Sequence, residues 1–493
     1  MFGCFDECFN YLAGYFILKG KILYKEYFFN HQMLMAYLSS IIQLISHPQS
    51  IYHLVLYHRI FIFLFALLMD ILIIFRFGKS GVGFVLLFET TKFYYMGSLF
   101  LPESIIVYLL VYLLGICWYK FTKRTIFSLD YILCGIFAWA VIFMREPFVP
   151  VAFFIYLIIL LGKTHKRAKH ISLGIFIILS LSILFITDLK NYFYQIAVVN
   201  LNPLASGVKS GGFFGLEILK MFLYPIYIFL YGKWTFLRQI QIGISSIFII
   251  ASIILVFRFR ILKPILCIII ILGLSSIRLV SPGTAFYEAF HMLPWYGLFV
   301  MSSFLFVQEL YMRKVSKYIL ALLTVLCVFV IGYAMSPKSF FIENVYAKNI
   351  DRNKEFKLGF DKYIVNGETI RLLSGDGDTL FIDRWDDLIY WQAKLNSPYK
   401  YTVYVGPAHN DPVFEVARLE MFRNNPPDFY YYSCSGKQFA SPYLPDFRVK
   451  DYVQLYYIDK PSCLYVKKAK LTKINSEKWD KIRILRFYLP EKS

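Results

Sequence analysis

Long apolar runs separated by short polar breaks fill the chain from about residue 54 to 335. Runs near 54–76, 82–99, 104–119, 128–144, 147–162, 171–187, 218–231, 239–257, 262–277, 290–308 and 316–335 approach the ~20 apolar residues that cross a hydrocarbon core,. They predict about 10–11 membrane helices. The pattern differs on either side. The opening segment, FDECFNYLAGYFILKGKILYKEYFFNHQMLMAYLSSIIQLI, is amphipathic and is expected to lie at a bilayer surface instead of crossing it,. Beyond residue 337 the runs shorten. TLFID (379–383), PDFYYY (427–432), VQLYYID and SCLYVKK read as strands, and DDLIYWQAK and DPVFEVARLEMFRNN as amphipathic helices,. The expected organisation is an outer first loop over 1–52, a helical membrane domain over 53–336, and a small α/β domain over 337–493.

Composition agrees with a multi-pass membrane protein. Charged residues make up 17% of the chain and mean hydropathy is +0.55, whereas soluble proteins carry about 25% charged residues. The formal net charge of +20 sits largely in short loops and brings no basic helix or stacking module with it, so nucleic acid is excluded as a partner,. The cysteines show no metal-ligand spacing. Cys4 and Cys8 lie about one turn apart, Cys117, Cys134, Cys267 and Cys327 fall within spans, and Cys434 and Cys463 could pair if their domain faces an oxidising space,.

The basic loops fix the sides. RFGK (76–79), KFTKR (120–124), KTHKRAKH (163–170), RFR (258–260) and MRK (312–314) all read as cytoplasmic,. Strict alternation through every run would place the last two outside. The segment 216–235, short and broken by Pro225, is therefore expected to be interfacial or re-entrant,. The stretches 100–103, 145–147, 188–217 and 278–289 and the C-terminal domain then face outside. The pair Asp6-Glu7 is also expected outside with no span ahead of it, which points to a first helix upstream of Met1; the alternative is delivery of the segment by the following helices alone.

Ionisable residues are costly in a membrane and tend to line cavities. Asp6, Glu7, His31, Arg145, Glu146, Arg278, Glu288 and His291 all map to the outer side and suggest one outward cavity, with Tyr287 beside them. The alternative is that each anchors a helix end at the interface, as Arg145 or Glu288 could do alone. GDGD (375–378) reads as a turn, not a phosphate-binding loop,.

The acidic pair, the short helix after it and LKGKILYKEYFFNH (18–31) resemble the first outer loop of GT-C glycosyltransferases that use polyprenyl-phosphate sugars. The nearest group is glycosyltransferase family 39, which includes protein O-mannosyltransferases and lipid A aminoarabinose transferases. FMREPFVPVA (143–152) and AFHMLPWYGLF (289–299) resemble later segments of that family. Gln32 and Met33 replace the usual prolines, and Phe9 and Asn10 stand where aminoarabinose transferases have an arginine.

The resemblance implies an inverting transfer of a sugar from a polyprenyl phosphate to an extracytoplasmic protein, lipid or polysaccharide. In it Asp6 is the catalytic base and Glu7 a helper or a structural residue. His31, at the position of the family's KPP lysine, is the first candidate for the donor phosphate, followed by Arg278 and His291. Arg145, Glu146, Tyr287 and Glu288 would line the cavity. No cofactor or metal ligand set is implied, although a divalent ion is not excluded. The rival class is a transporter or lipid flippase, which usually shows internal repeats that are not seen here. A membrane scaffold would leave the first-loop pattern unexplained.

Overall fold

In the computed structural model, which describes residues 6–162, 165–199, 222, 235–277, 290–336, 352–383, 387–402, 412–432 and 445–489, the uncharged runs fold as helices. They are α3 (Ile51–Phe77), α4 (Lys79–Thr91), α5 (Pro102–Phe121), α6 (Ser128–Met144), α7 (Val149–Leu160), α8 (Lys166–Phe185), α9 (Phe236–Phe259), α10 (Leu262–Ser275), α11 (Leu293–Met312) and α12 (Lys317–Ala334). Two further helices, α1 (Glu7–Leu18) and α2 (Leu34–Ser46), precede them. Six of the described helices, α3, α5, α8, α9, α11 and α12, are long and apolar enough to cross a membrane. The run expected at 82–99 breaks sooner: α4 stops at Thr91, Lys92–Tyr95 form a 3-10 turn, and Met96 ends it in the left-handed region. The segment 216–235 falls outside the described residues except for Phe222 and Thr235.

The chain divides into two compact units. One draws on the described residues of 1–58, 187–208 and 350–493, the other on those of 59–186 and 209–349. In the second unit α5 and α11 are central, each about nine-tenths buried, while α8 and α12 are mostly exposed on its outside. The start of α5 is set locally. Leu101 is extended, Pro102 takes the first helical position, where its missing N–H costs nothing, and Glu103 stands in the first turn,.

All five basic loops gather at one end of this unit. Arg76 grips Asp130 through Nε and Nη2, both at 2.8 Å, and Asp130 also accepts the Tyr112 hydroxyl at 2.7 Å. Glu309 takes Arg124 and Arg313, each at 2.7 Å. Arg313 lies over the Phe259 ring and Lys79 over Tyr311. Lys169 donates to the Leu161 carbonyl, which Lys120 also reaches. RFR and MRK therefore share an end with the first three loops.

In the first unit α1 packs on α2, and Gly14 makes the approach possible: a Cβ there would meet Ser39 Oγ at 2.6 Å and Ser40 N at 2.7 Å. Ten of the twelve α1 residues are buried. The amphipathic character expected of the opening segment therefore belongs to α2, whose Ile41, Leu44 and Ile45 are exposed at helical spacing.

The C-terminal strands appear where the sequence places them. They are β1 (Leu380–Asp383), β2 (Phe429–Tyr432), β3 (Tyr452–Tyr457) and β4 (Lys460–Lys467), joined by a short β5 (Phe487–Tyr488). Their order is β1-β2-β4-β3-β5, parallel between β1 and β2 and antiparallel elsewhere. Helices α13 (Arg352–Leu373), α14 (Leu388–Ala393) and α15 (Pro412–Asn424) accompany the sheet, whose core holds Phe381, Tyr399, Met421, Phe422, Tyr430 and Tyr452. Cys8 and Cys463 each take part in a disulfide, and Cys4 and Cys434 lie outside the described residues. Cys117, Cys134, Cys267 and Cys327 are free and buried.

Candidate functional site

The two acids of the opening pair have different surroundings. Asp6 stands at the N-cap of α1 with helical φ and ψ of −49° and −22°, half-buried, and its side chain caps no α1 N–H. Glu7 is fully buried and accepts the Tyr11 hydroxyl at 2.8 Å. Gln43 on α2 fixes this region by donating to the Tyr11 carbonyl at 2.8 Å and accepting Trp391 Nε1 of α14 at 3.0 Å. Asp6 thus presents a carboxylate that α1 does not consume, whereas Glu7 is built into the packing.

His31 ends the loop between α1 and α2. Gln195 holds that loop by accepting from Phe29 N at 2.8 Å and donating to the Tyr24 carbonyl at 2.7 Å. Tyr24 adopts a left-handed φ of 67° and its hydroxyl donates to the His31 carbonyl at 2.7 Å. The half-buried His31 imidazole sits edge-on to Phe29, with centroids 5.6 Å apart.

Asp6, Glu7 and His31 belong to the first unit; Arg145, Glu146 and His291 belong to the second. There the structure joins two of the predicted residues through a third. Glu103 Oε1 lies 3.0 Å from His291 Nδ1 and 3.5 Å from Arg145 Nε, and all three residues are 3% exposed or less. Arg145 occupies an extended position at the C-terminus of α6, Glu146 opens the 3-10 turn after it, and His291 immediately precedes α11. The Arg145 and His291 side chains converge on one carboxylate at the end of the unit away from the basic loops. Glu103 Oε2 accepts no hydrogen bond among the described residues. Arg278, Tyr287 and Glu288 lie outside the described residues.

Glu103 is the member that sequence reasoning missed. A signal was present: an acid directly after Pro102 at the head of the uncharged run SIIVYLLVYLLGIC, in a stretch expected to face outside. A second polar group escaped notice because its members are scattered through three apolar runs. Lys92 Nζ lies 2.5 Å from Glu89 Oε2 and donates to the Tyr108 hydroxyl at 2.9 Å, and Tyr108 in turn bonds Glu89. Asp70, 8% exposed, lies within electrostatic reach of Glu89 and Lys92.

The fold is that of the GT-C glycosyltransferases. The chain matches the crystal structure of ArnT from Cupriavidus metallidurans bound to undecaprenyl phosphate, with a TM-score of 0.54 at 9% identity, over 94% of each chain. No family model and no curated protein matches the sequence.

Proposed function

We propose that this protein is a membrane glycosyltransferase that moves a sugar from a polyprenyl-phosphate donor to an extracytoplasmic acceptor. The observation that carries the reading is the fold shared with ArnT over 94% of both chains, and the ArnT crystal holds undecaprenyl phosphate. In the reaction an acceptor hydroxyl attacks the anomeric carbon. The bond from that carbon to the lipid phosphate oxygen breaks, the polyprenyl phosphate leaves, and the hydroxyl proton passes to a carboxylate. One displacement inverts the anomeric configuration and needs no cofactor.

Asp6 is the base: a hydroxyl titrates far above neutral pH, so a positioned acceptor of its proton is needed as the bond forms. His31, in the same unit as Asp6, is the donor candidate for the leaving phosphate, where charge grows as the bond breaks,. The five basic loops at one end of the helical unit support a cytoplasmic location for that end. The opposite end, with Glu103, Arg145 and His291, and the C-terminal domain then face the outside, where disulfides at Cys8 and Cys463 persist,.

The test is sugar transfer from a radiolabelled polyprenyl-phosphate sugar in membranes containing the protein. Asp6→Asn keeps the size of the side chain and removes the base, so turnover should fall by about 10²–10⁴ with donor binding retained. Turnover at the wild-type rate, with chemistry limiting, would falsify the role of Asp6.

A further inference from the structure

Away from Asp6, the first unit holds a cavity of about 360 Å³ whose lining includes Leu18, Lys19, Gln43, His47, Trp391 and Lys394. Three helices end there: Lys19 is the C-cap of α1, His47 of α2 and Lys394 of α14. Basic residues at helix C-termini are ordinarily explained by the dipole, which places roughly −0.5 charge at each end. The ends of α1 and α2 together supply about −1, and the six-residue α14 adds little. Two lysines exceed that. Neither Lys19 nor Lys394 has an ion-pair partner among the described residues, so a positive surplus of about one charge remains.

Lys394 shows the effect of this surplus. Its ammonium stands 3.3 Å from the Trp391 ring centroid. Its pKa is lowered to about 8, first by desolvation and then by the like charges of Lys19 and Arg371. Arg371 is offset by its own partner Glu368 at 2.6 Å. An anion seated in the cavity would relieve the repulsion between Lys19 and Lys394.

The surroundings say which anion. Ile41, Leu44 and Ile45 of α2 are 50%, 57% and 76% exposed and form a stripe ending two residues before His47; Leu18 beside Lys19 is 43% exposed. Exposed apolar residues beside lysines form the side-chain pattern of a protein surface at the level of lipid headgroups,. A free phosphate would use the lysines and leave the stripe in water; a phospholipid uses both.

We propose that this cavity binds the phosphate headgroup of an anionic membrane lipid, with the α2 stripe against its acyl chains. The site lies about 18 Å from Asp6, the length of α1 at 1.5 Å per residue. It is therefore an anchoring site, distinct from the transfer reaction and independent of it.

The full chain, purified in a neutral detergent, is titrated by isothermal calorimetry with dioctanoyl phosphatidylglycerol, dioctanoyl phosphatidylcholine and inorganic phosphate. Wild type should bind the phosphatidylglycerol at least about 10-fold more tightly than either of the others, the factor expected for one well-placed charge contact. Lys19→Gln, at an exposed position, and Lys19→Gln/Lys394→Gln should lose that preference, Lys19→Arg should retain it, and Ile45→Gln should weaken it. Equal binding of phosphatidylcholine overturns the proposal, as does a preference unchanged in the lysine variants. Inorganic phosphate binding as tightly as the lipid also overturns it, in favour of a free-anion site. Thermal unfolding of each variant reports on folding; if the double variant fails that control, Lys19→Gln alone decides.

Discussion

His291 Nδ1 meets Glu103 Oε1 at 3.0 Å, and the same oxygen faces Arg145. A carboxylate buried between Arg145 and His291 sets their orientation, and its removal takes a buried acidic partner from both. Glu103→Ala should therefore cost about 3–5 kcal/mol of stability, read as a lowered thermal midpoint in detergent. A midpoint unchanged from wild type would show that Glu103 does not hold Arg145 and His291 in place.

The neighbours Asp6 and Glu7 should respond oppositely. Glu7→Ala removes the acceptor of a buried hydroxyl and opens space in α1, so it should destabilise by about 1–3 kcal/mol. Asp6→Ala should leave the thermal midpoint close to wild type and abolish transfer. Denaturation and turnover measured on the same preparations separate these effects. Normal stability of Glu7→Ala would show that the Tyr11 contact adds nothing.

Lys394 gives a pH dependence with a definite sign. Its folded pKa of about 8 lies below the usual lysine value of 10.5. The folded state therefore holds its proton less tightly than the unfolded state. Its contribution penalises folding below pH 8 and diminishes as pH rises from about 8 to 10.5,. Acylation by an amine-directed reagent, followed by peptide mass spectrometry, should show Lys394 reacting with a midpoint near 8, well below exposed lysines. In Lys19→Gln the midpoint should move upward, because a like charge has gone. An unchanged midpoint would assign the shift to desolvation and Arg371 alone.

The proposed orientation is open to a direct check. Asp376 lies in an exposed turn before β1. Asp376→Cys should react with a membrane-impermeant maleimide in intact cells. Labelling that requires permeabilised membranes would place the C-terminal domain in the cytoplasm.

Helix positions and strands were legible because they rest on local rules. The uncharged runs reappear as α3 and α5–α12, and TLFID and PDFYYY as β1 and β2, each within a few residues. The parallel pairing of β1 with β2 was not legible, since register between distant strands depends on tertiary packing. At the site, Arg145 and His291 stood out as charges in outward stretches, whereas Glu103 merged into the apolar run that follows it. Asp6 and Glu7 read as one motif, and only packing distinguishes them: Tyr11, one turn along α1, engages Glu7. The burial of α1 was likewise hidden, because α14, which packs on it, lies more than 300 residues away in the chain.

That separation has a consequence for biosynthesis. Trp391 bonds Gln43 across 348 residues, Lys21 reaches the Ser397 carbonyl and Phe28 N the Lys400 carbonyl. At 5–20 residues per second, the ribosome needs about 20–70 s after making Gln43 to deliver Trp391. Through that interval the segment bearing Asp6 has emerged while its partners are still untranslated, and its apolar faces are open to chaperones and proteases. Premature termination between residues 335 and 390 would therefore release a chain with its membrane helices made and its acidic loop without lasting shape. Quality control acting on that loop would monitor the completion of the C-terminal domain.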